Sequence, residues 1–134
     1  MSKRITEKIE EIETYLQELG EIIPATFEEY KTDFTKKAAC ERYFERIIEA
    51  IVDLAFIIIK EKKLKTPEED KETFDILSAE EIIIKKLAEK LKDAKGMRNI
   101  LAHEYGKIDD ELVFNSLAEE LFDDIEEFLR NMKK

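Results

Sequence analysis

Apolar residues recur at helical spacing almost from one end of the chain to the other. Ile5, Ile9, Ile12, Leu16 and Leu19 form one stripe with polar residues between them, the pattern of a helix with one face on a core. Gly20 offers a stop and Pro24 ends any continuation. A second pattern runs from Thr26 to Lys63 through Phe27, Tyr30, Phe34, Phe44, Ile47, Ile51, Leu54 and Ile58. Its first part, up to Phe34, can stand apart as a separate turn of helix. Its centre, Ile47 to Ile59, is apolar on most sides, so it is either buried among neighbours or lies at a subunit contact.

Thr66-Pro67-Glu68-Glu69 reads as a helix start, with Thr66 as N-cap, Pro67 in the first position and acids in the first turn. A short helix with Phe74 and Leu77 follows. Ser78-Ala79-Glu80-Glu81 has the form of a capping box, opening a helix with Ile82, Ile83, Leu87, Leu91 and Ala94 that Gly96 need not end. A break is expected over Tyr105-Gly106-Lys107-Ile108-Asp109. A last helix, capped by Asp109 or Asp110, then carries Val113, Leu117, Leu121, Ile125, Phe128 and Met132. No segment alternates with period two for long enough to make a strand. The expected fold is all-α: an antiparallel up-and-down bundle of four main helices with a short extra one over 67–77, in a single domain spanning 1–134.

Composition supports helices and narrows the setting. Gly and Pro are scarce at 3 and 2, and the chain is rich in helix formers. With 18 Ile, 24 Glu and 18 Lys against 1 Gln, it resembles the proteins of hyperthermophiles. The single cysteine, Cys40, excludes an internal disulfide and reads as a small buried apolar side chain. No apolar leader opens the sequence, and Ile47–Ile59 is too short to cross a bilayer. A cytoplasmic location without membrane association follows as the expectation.

The net charge of −10 argues against a nucleic-acid partner, since phosphates need Lys and Arg. Its distribution qualifies that. Lys85 to Arg98 holds six bases and two acids, whereas Glu104 to Lys134 holds ten acids and four bases. A charge run is by default a solvated helix face.

One constellation carries chemistry: Arg98-Asn99-Ile100-Leu101-Ala102-His103-Glu104-Tyr105. His103 is the chain's only histidine, and histidine is the side chain suited to proton transfer near neutrality. Arg98 is always cationic, and its planar fork suits a phosphate. Asn99 and His103 are four apart and share a helix face. Arg98 and His103 are about 140° apart around a helix, so Arg98 must reach round. Asp53, an acid on an apolar helix, needs a partner: it either holds Arg98 or pairs with an unrelated lysine. Nothing suggests a metal site or a phosphate-binding glycine loop, and no cofactor is expected.

The form Arg-Asn-x-x-x-His-x-Tyr resembles the HEPN superfamily, and specifically its HepT-like branch. The early amphipathic helix, the acid within the long apolar helix, Gly96-Met97 before Arg98 and the Tyr-Gly-x-Ile-Asp connection into the last helix are also similar. The resemblance covers most of the chain. It implies a metal-independent endoribonuclease acting as the toxin of a toxin–antitoxin pair, with RNA as substrate and two subunits facing one cleft. It further implies an antitoxin that is a minimal nucleotidyltransferase and transfers AMP to the motif tyrosine, here Tyr105, with Arg98, His103 and Asn99 as the catalytic set. Arg98 would then be the local cation for the added phosphate. Physics is compatible: metal-free cleavage needs a base for the 2′-hydroxyl, an acid for the leaving oxygen and a cation for the developing charge. Two subunits supply two histidines where one chain has one. The competing readings are a non-catalytic helical partner of a nucleotidyltransferase and a nucleotide-binding module without turnover. Overall acidity favours these; the basic run before Arg98 favours the enzyme.

Overall fold

The computed structural model describes residues 1–134, as α1 (Lys3–Ile22), α2 (Phe27–Thr32), α3 (Phe34–Glu61), α4 (Glu72–Ala79), α5 (Lys85–His103), α6 (Asp110–Asn115) and α7 (Leu121–Met132). A 3-10 turn, Tyr105–Lys107, joins α5 to α6, and a π-helical turn, Ser116–Glu120, joins α6 to α7. The fold is all-α, as the periodicity indicates, and no helix is long and apolar enough to cross a membrane.

α3 is the central element, about 42 Å long at 1.5 Å per residue. Its Ile47, Ile48, Ile51, Leu54 and Ala55 are fully buried. α1, α4 and α5 all pack against it, and α7 packs on α5. Long-range pairs give the directions. Ser2 bonds Glu61 and Tyr43 bonds Glu18, so α1 and α3 run antiparallel. Lys133 of α7 reaches Glu13 of α1, while a Cβ on Gly20 would meet the Phe122 ring at 3.9 Å, so these two also run antiparallel. The core closes with Tyr30, Phe44, Phe74 and Phe128, all buried, and Phe74 meets Phe128 edge-on at 6.2 Å. Because Ile47–Ile59 is covered by the chain's own helices, its apolar character does not call for a second subunit.

Four helix starts are fixed by side-chain caps: Ser2 for α1, Thr26 for α2, Asp33 for α3 and Asp109 for α6. Each such cap is worth about 1 kcal/mol. Asp33 separates α2 from α3, so the segment up to Phe34 does stand apart. Several boundaries differ from the sequence reading. Gly20 lies inside α1, which continues to Ile22. Thr66-Pro67 starts no helix; α4 begins at Glu72, whose carboxylate accepts from the Glu68 N–H at 3.0 Å. Ser78 belongs to the last turn of α4 rather than capping the next helix. Glu81 has φ +59°, and the Ile82 N–H bonds back to the Leu77 carbonyl at 2.9 Å. This is a Schellman closure with a glutamate in glycine's usual place. Lys63, φ +56°, closes α3 the same way, with Leu64 N–H on the Ile59 carbonyl. In both, an apolar residue after the turn (Leu64, Ile82) packs against the core.

The final stripe is one surface but not one regular helix. Val113, Leu117, Leu121 and Ile125 are all buried, yet a spacing of four advances about 40° per step beyond a full turn. The π-turn inserts an extra residue per turn, about 100° of rotation, which returns Leu121 and Ile125 to the core side.

Candidate active site

The motif occupies the last two turns of α5 and the turn after it. α5 ends at His103 and Glu104 is its C-cap, so His103 is the last helical residue and Tyr105 belongs to the turn beyond. Arg98 is part-buried, with its side chain 17% exposed. Its Nη2 donates to Glu49 of α3 and its Nη1 donates to Asn99 Oδ1 at 3.4 Å. Its buried Nε has no hydrogen-bond partner. The guanidinium is therefore aimed by two acceptors, and one hydrogen on each Nη stays unspent beside the buried Nε.

Asp53 does not hold Arg98. It pairs with Lys8 of α1 at 3.6 Å and its side chain is 62% exposed. The reason is helical drift. Glu41, Glu49 and Asp53 lie at multiples of four along α3, and each step of four rotates about 40°. The acid at 49 still faces α5, while the acid at 53 has turned toward α1. Glu49 interrupts the same apolar stretch one turn earlier, and the register of α3 against α5 makes it, rather than Asp53, the partner of Arg98.

Tyr105 sits on the 3-10 turn and is half exposed. Its hydroxyl donates toward both oxygens of Glu41, at 3.1 and 3.2 Å, and accepts from Lys37 Nζ at 2.9 Å. Lys37 also lies 5.3 Å from the centre of the Tyr105 ring and forms ion pairs with Glu41 at 3.5 Å and Asp110 at 3.2 Å. The Asp110 contact is off the geometry of a directed hydrogen bond, for that oxygen is otherwise unpartnered. Burial pulls the Lys37 ammonium down, but the hydrogen bond to Tyr105 and the ion-pair contacts with Asp110 and Glu41 outweigh it and hold it above the usual lysine range. Beneath lies Tyr30, its buried hydroxyl unpartnered and its ionisation pushed up by burial and by the charges of Glu41 and Asp110. Glu41 and Glu49 are eight residues apart, about 12 Å along α3. The cation at the Tyr105 hydroxyl is therefore Lys37, not Arg98. Sequence reasoning missed both Lys37 and Glu41; they lie 68 and 64 residues from Tyr105, and only the antiparallel register of α3 and α5 brings them there.

His103 lies between these two anchored groups. It is exposed and its ring makes no hydrogen bond within the chain, to Asn99 or to any other residue. The basic run before it is largely spent. Lys90 pairs with Asp124, Lys92 with Asp75 and Lys95 with Asp70, leaving Lys85 and Lys86 exposed. A cavity of about 780 Å³ is elsewhere, between α1 and the C-terminal end of α3, lined by Lys8, Asp53, Phe56 and Lys60 among others. No motif residue lines it; residues 102–107 are exposed and form an open lip at the end of α5. Cys40 is buried, and burial pushes its thiol up to about 11, as befits a packing residue.

Comparison with known proteins decides the family. The model of the ribonuclease HepT-like family matches residues 12–132. The chain belongs to that family. This HepT-like chain is 29% identical to the mRNA nuclease HepT of Shewanella oneidensis over 78% of each chain. It is 28% identical to the tRNA nuclease HepT of Aphanizomenon flos-aquae, over 85% of this chain and 78% of that one. Among solved structures it superposes on the tri-AMPylated Shewanella oneidensis HEPN toxin in complex with its MNT antitoxin, with a TM-score of 0.92 and 26% identity over 99% and 98% of the two chains. A toxin–antitoxin structure with AMP-PNP matches with a TM-score of 0.91 and 25% identity over 98% of each chain. The HepT-like chain is thus a HEPN-type ribonuclease by family.

Proposed function

We propose that this chain is the ribonuclease toxin of a toxin–antitoxin pair, that it cuts RNA without a metal ion at the Arg98–His103 lip, and that a partner nucleotidyltransferase silences it by AMP transfer to Tyr105. The observation that carries the reading is the arrangement of the lip. Arg98 is aimed by Glu49 and Asn99 with one hydrogen on each Nη unspent, while the only histidine stands exposed a turn and a half away. Arg98 binds the scissile phosphate and steadies the charge that builds on it. His103 moves the protons. A single histidine can serve as base or as acid in one step but not as both, so the cleft is completed by the lip of a second copy. The case for a homodimer rests on that count. The solved relatives, a toxin bound to its antitoxin and carrying AMP, support the partner and the modification; the named nucleases support RNA as substrate, one acting on mRNA and one on tRNA.

The second reading, a non-catalytic partner of the transferase, draws on the ion pairs that neutralise Arg98 and most of the neighbouring lysines. Incubating the purified chain with RNA in excess EDTA separates the two. Cleavage supports the enzyme; intact RNA with and without magnesium supports the partner. Cleavage that needs magnesium overturns the metal-free mechanism.

A further inference from the structure

The Tyr105 hydroxyl is not the loose end of a side chain. It is the middle of a three-residue array built from α3 and the 3-10 turn: Lys37 donates to it and it donates to Glu41. We propose that Glu41 is the general base for AMP transfer to Tyr105, and that Lys37 positions the phenol oxygen for attack, so that this chain supplies the proton acceptor for its own modification. The inference rests on the reading of Tyr105 as the acceptor.

A free phenol ionises near pH 10, so at neutrality only about one in a thousand is the nucleophilic phenolate. An activated nucleophile needs a base within hydrogen-bond reach, itself oriented by a third group. Glu41 meets the first condition, with both carboxylate oxygens 3.1 and 3.2 Å from the hydroxyl. Lys37 meets the second, 3.5 Å from the Glu41 carboxylate and 2.9 Å from the phenol oxygen. Glu41 is buried, only 7% exposed, so the base is held in place by packing rather than left to swing in solvent. Tyr105 is 50% exposed, so an incoming nucleotide can reach the oxygen that the buried carboxylate serves from below. The step balances without a redox partner. The Tyr105 oxygen forms a bond to the α-phosphorus of a nucleoside triphosphate held by the transferase, and the bond from that phosphorus to the diphosphate leaving group breaks. The phenol proton passes to Glu41 and from there to water. Lys37, already beside the oxygen, stays beside the new phosphodiester and offsets its charge.

Glu49 and Glu45 mark the contrast on the same helix. Each has a cationic partner, Arg98 and Arg42, as Glu41 has Lys37, but neither accepts from a hydroxyl. Glu41 alone of these acids receives one.

The experiment measures the initial rate of AMP addition to the full chain by mass spectrometry, with the purified partner transferase and ATP, from pH 6 to pH 9. The acceptors are the parent, Glu41→Gln, Glu41→Asp and Tyr105→Phe. General-base removal costs about 10²–10⁴-fold, so Glu41→Gln is expected to fall by that amount at pH 7. Its rate should then climb about tenfold per pH unit as hydroxide takes over, while the parent stays flat from pH 7 to pH 8. Glu41→Asp should recover part of the rate. Circular dichroism melts and complex formation with the transferase establish that each variant is folded and bound. A Glu41→Gln rate equal to the parent's overturns the proposal, and so does a loss of the same factor at every pH, which marks a positioning role only. If Tyr105→Phe accepts AMP as readily as the parent, the acceptor assignment fails and the base goes with it. A modified parent with an unaffected Glu41→Gln removes the base alone.

Discussion

The two ends of the motif are held, and its middle is not. Arg98 rests on Glu49, and Tyr105 rests on Glu41 and Lys37. Both supports come from α3, about 12 Å apart. His103, between them, has no partner in the chain. On the proposed function, the phosphate-binding arginine and the AMP-accepting hydroxyl are thus preorganised within one subunit, which limits the ordering each must undergo when it is used. The proposed proton-transfer group is left for substrate, or for a second lip, to complete. Tyr105 itself is half exposed, so on the proposed function a group can be added at the tyrosine end from the solvent side.

The largest expected effect lies at the tyrosine end. Tyr105→Phe should accept no AMP from the partner transferase, while its RNA cleavage stays within a few-fold of the parent's. The ring is kept, and only hydrogen bonds worth about 1 kcal/mol are lost. Mass spectrometry beside a cleavage assay reads both. A loss of cleavage as large as the loss of modification would merge the two ends into one unit and break the comparison.

Next comes the arginine end. Arg98→Ala should lower cleavage by about 10²–10³-fold, the scale of removing one donor that stabilises a transition state. Arg98→Lys should restore little, since a point charge cannot use two acceptors and a phosphate together. Glu49 then sets a smaller step. Glu49→Gln should cost about tenfold in cleavage by loosening the aim of Arg98. Asp53→Asn, one turn along, should leave cleavage unchanged and remove at most about 1 kcal/mol, the worth of an exposed ion pair. Equal effects at 49 and 53 would mean that α3 contributes charge in general rather than a specific partner.

The smallest effect is at Cys40, in the packed interior. At pH 8 its thiol should resist alkylation in the native protein and react once the protein is unfolded. Its pKa rises from 9.0 to about 11 on folding. The unfolded chain therefore loses that proton first as pH rises. The stabilisation from the neutral buried thiol is complete below about pH 9 and is lost on the way to about pH 11. Rapid alkylation of folded protein would show that the interior opens locally.

The same contrast explains what could be read in the sequence. The five-residue stripe of α1 and the apolar centre of α3 were legible because burial leaves a 3.6-residue period. The motif from Arg98 to Tyr105 was legible because its spacing is local. The start at Thr66 and the box at Ser78 were misleading: their local chemistry was right, but Schellman turns at Lys63 and Glu81, anchored by Leu64 and Ile82 in the core, set the boundaries instead. The partners of Arg98 and Tyr105 were hidden for a different reason. Glu49, Glu41 and Lys37 are one-residue choices on a long helix, and nothing local distinguishes Glu49 from Asp53. Only the register between α3 and α5 does.

Whether the one unsupported side chain carries the chemistry is read from single-turnover RNA cleavage by the parent and by His103→Ala, both in excess EDTA, with the melting temperature of each. His103 is exposed and unbonded, so the account predicts the same melting temperature and a cleavage rate lower by about 10³-fold or more. Parental cleavage by a folded His103→Ala protein would contradict it.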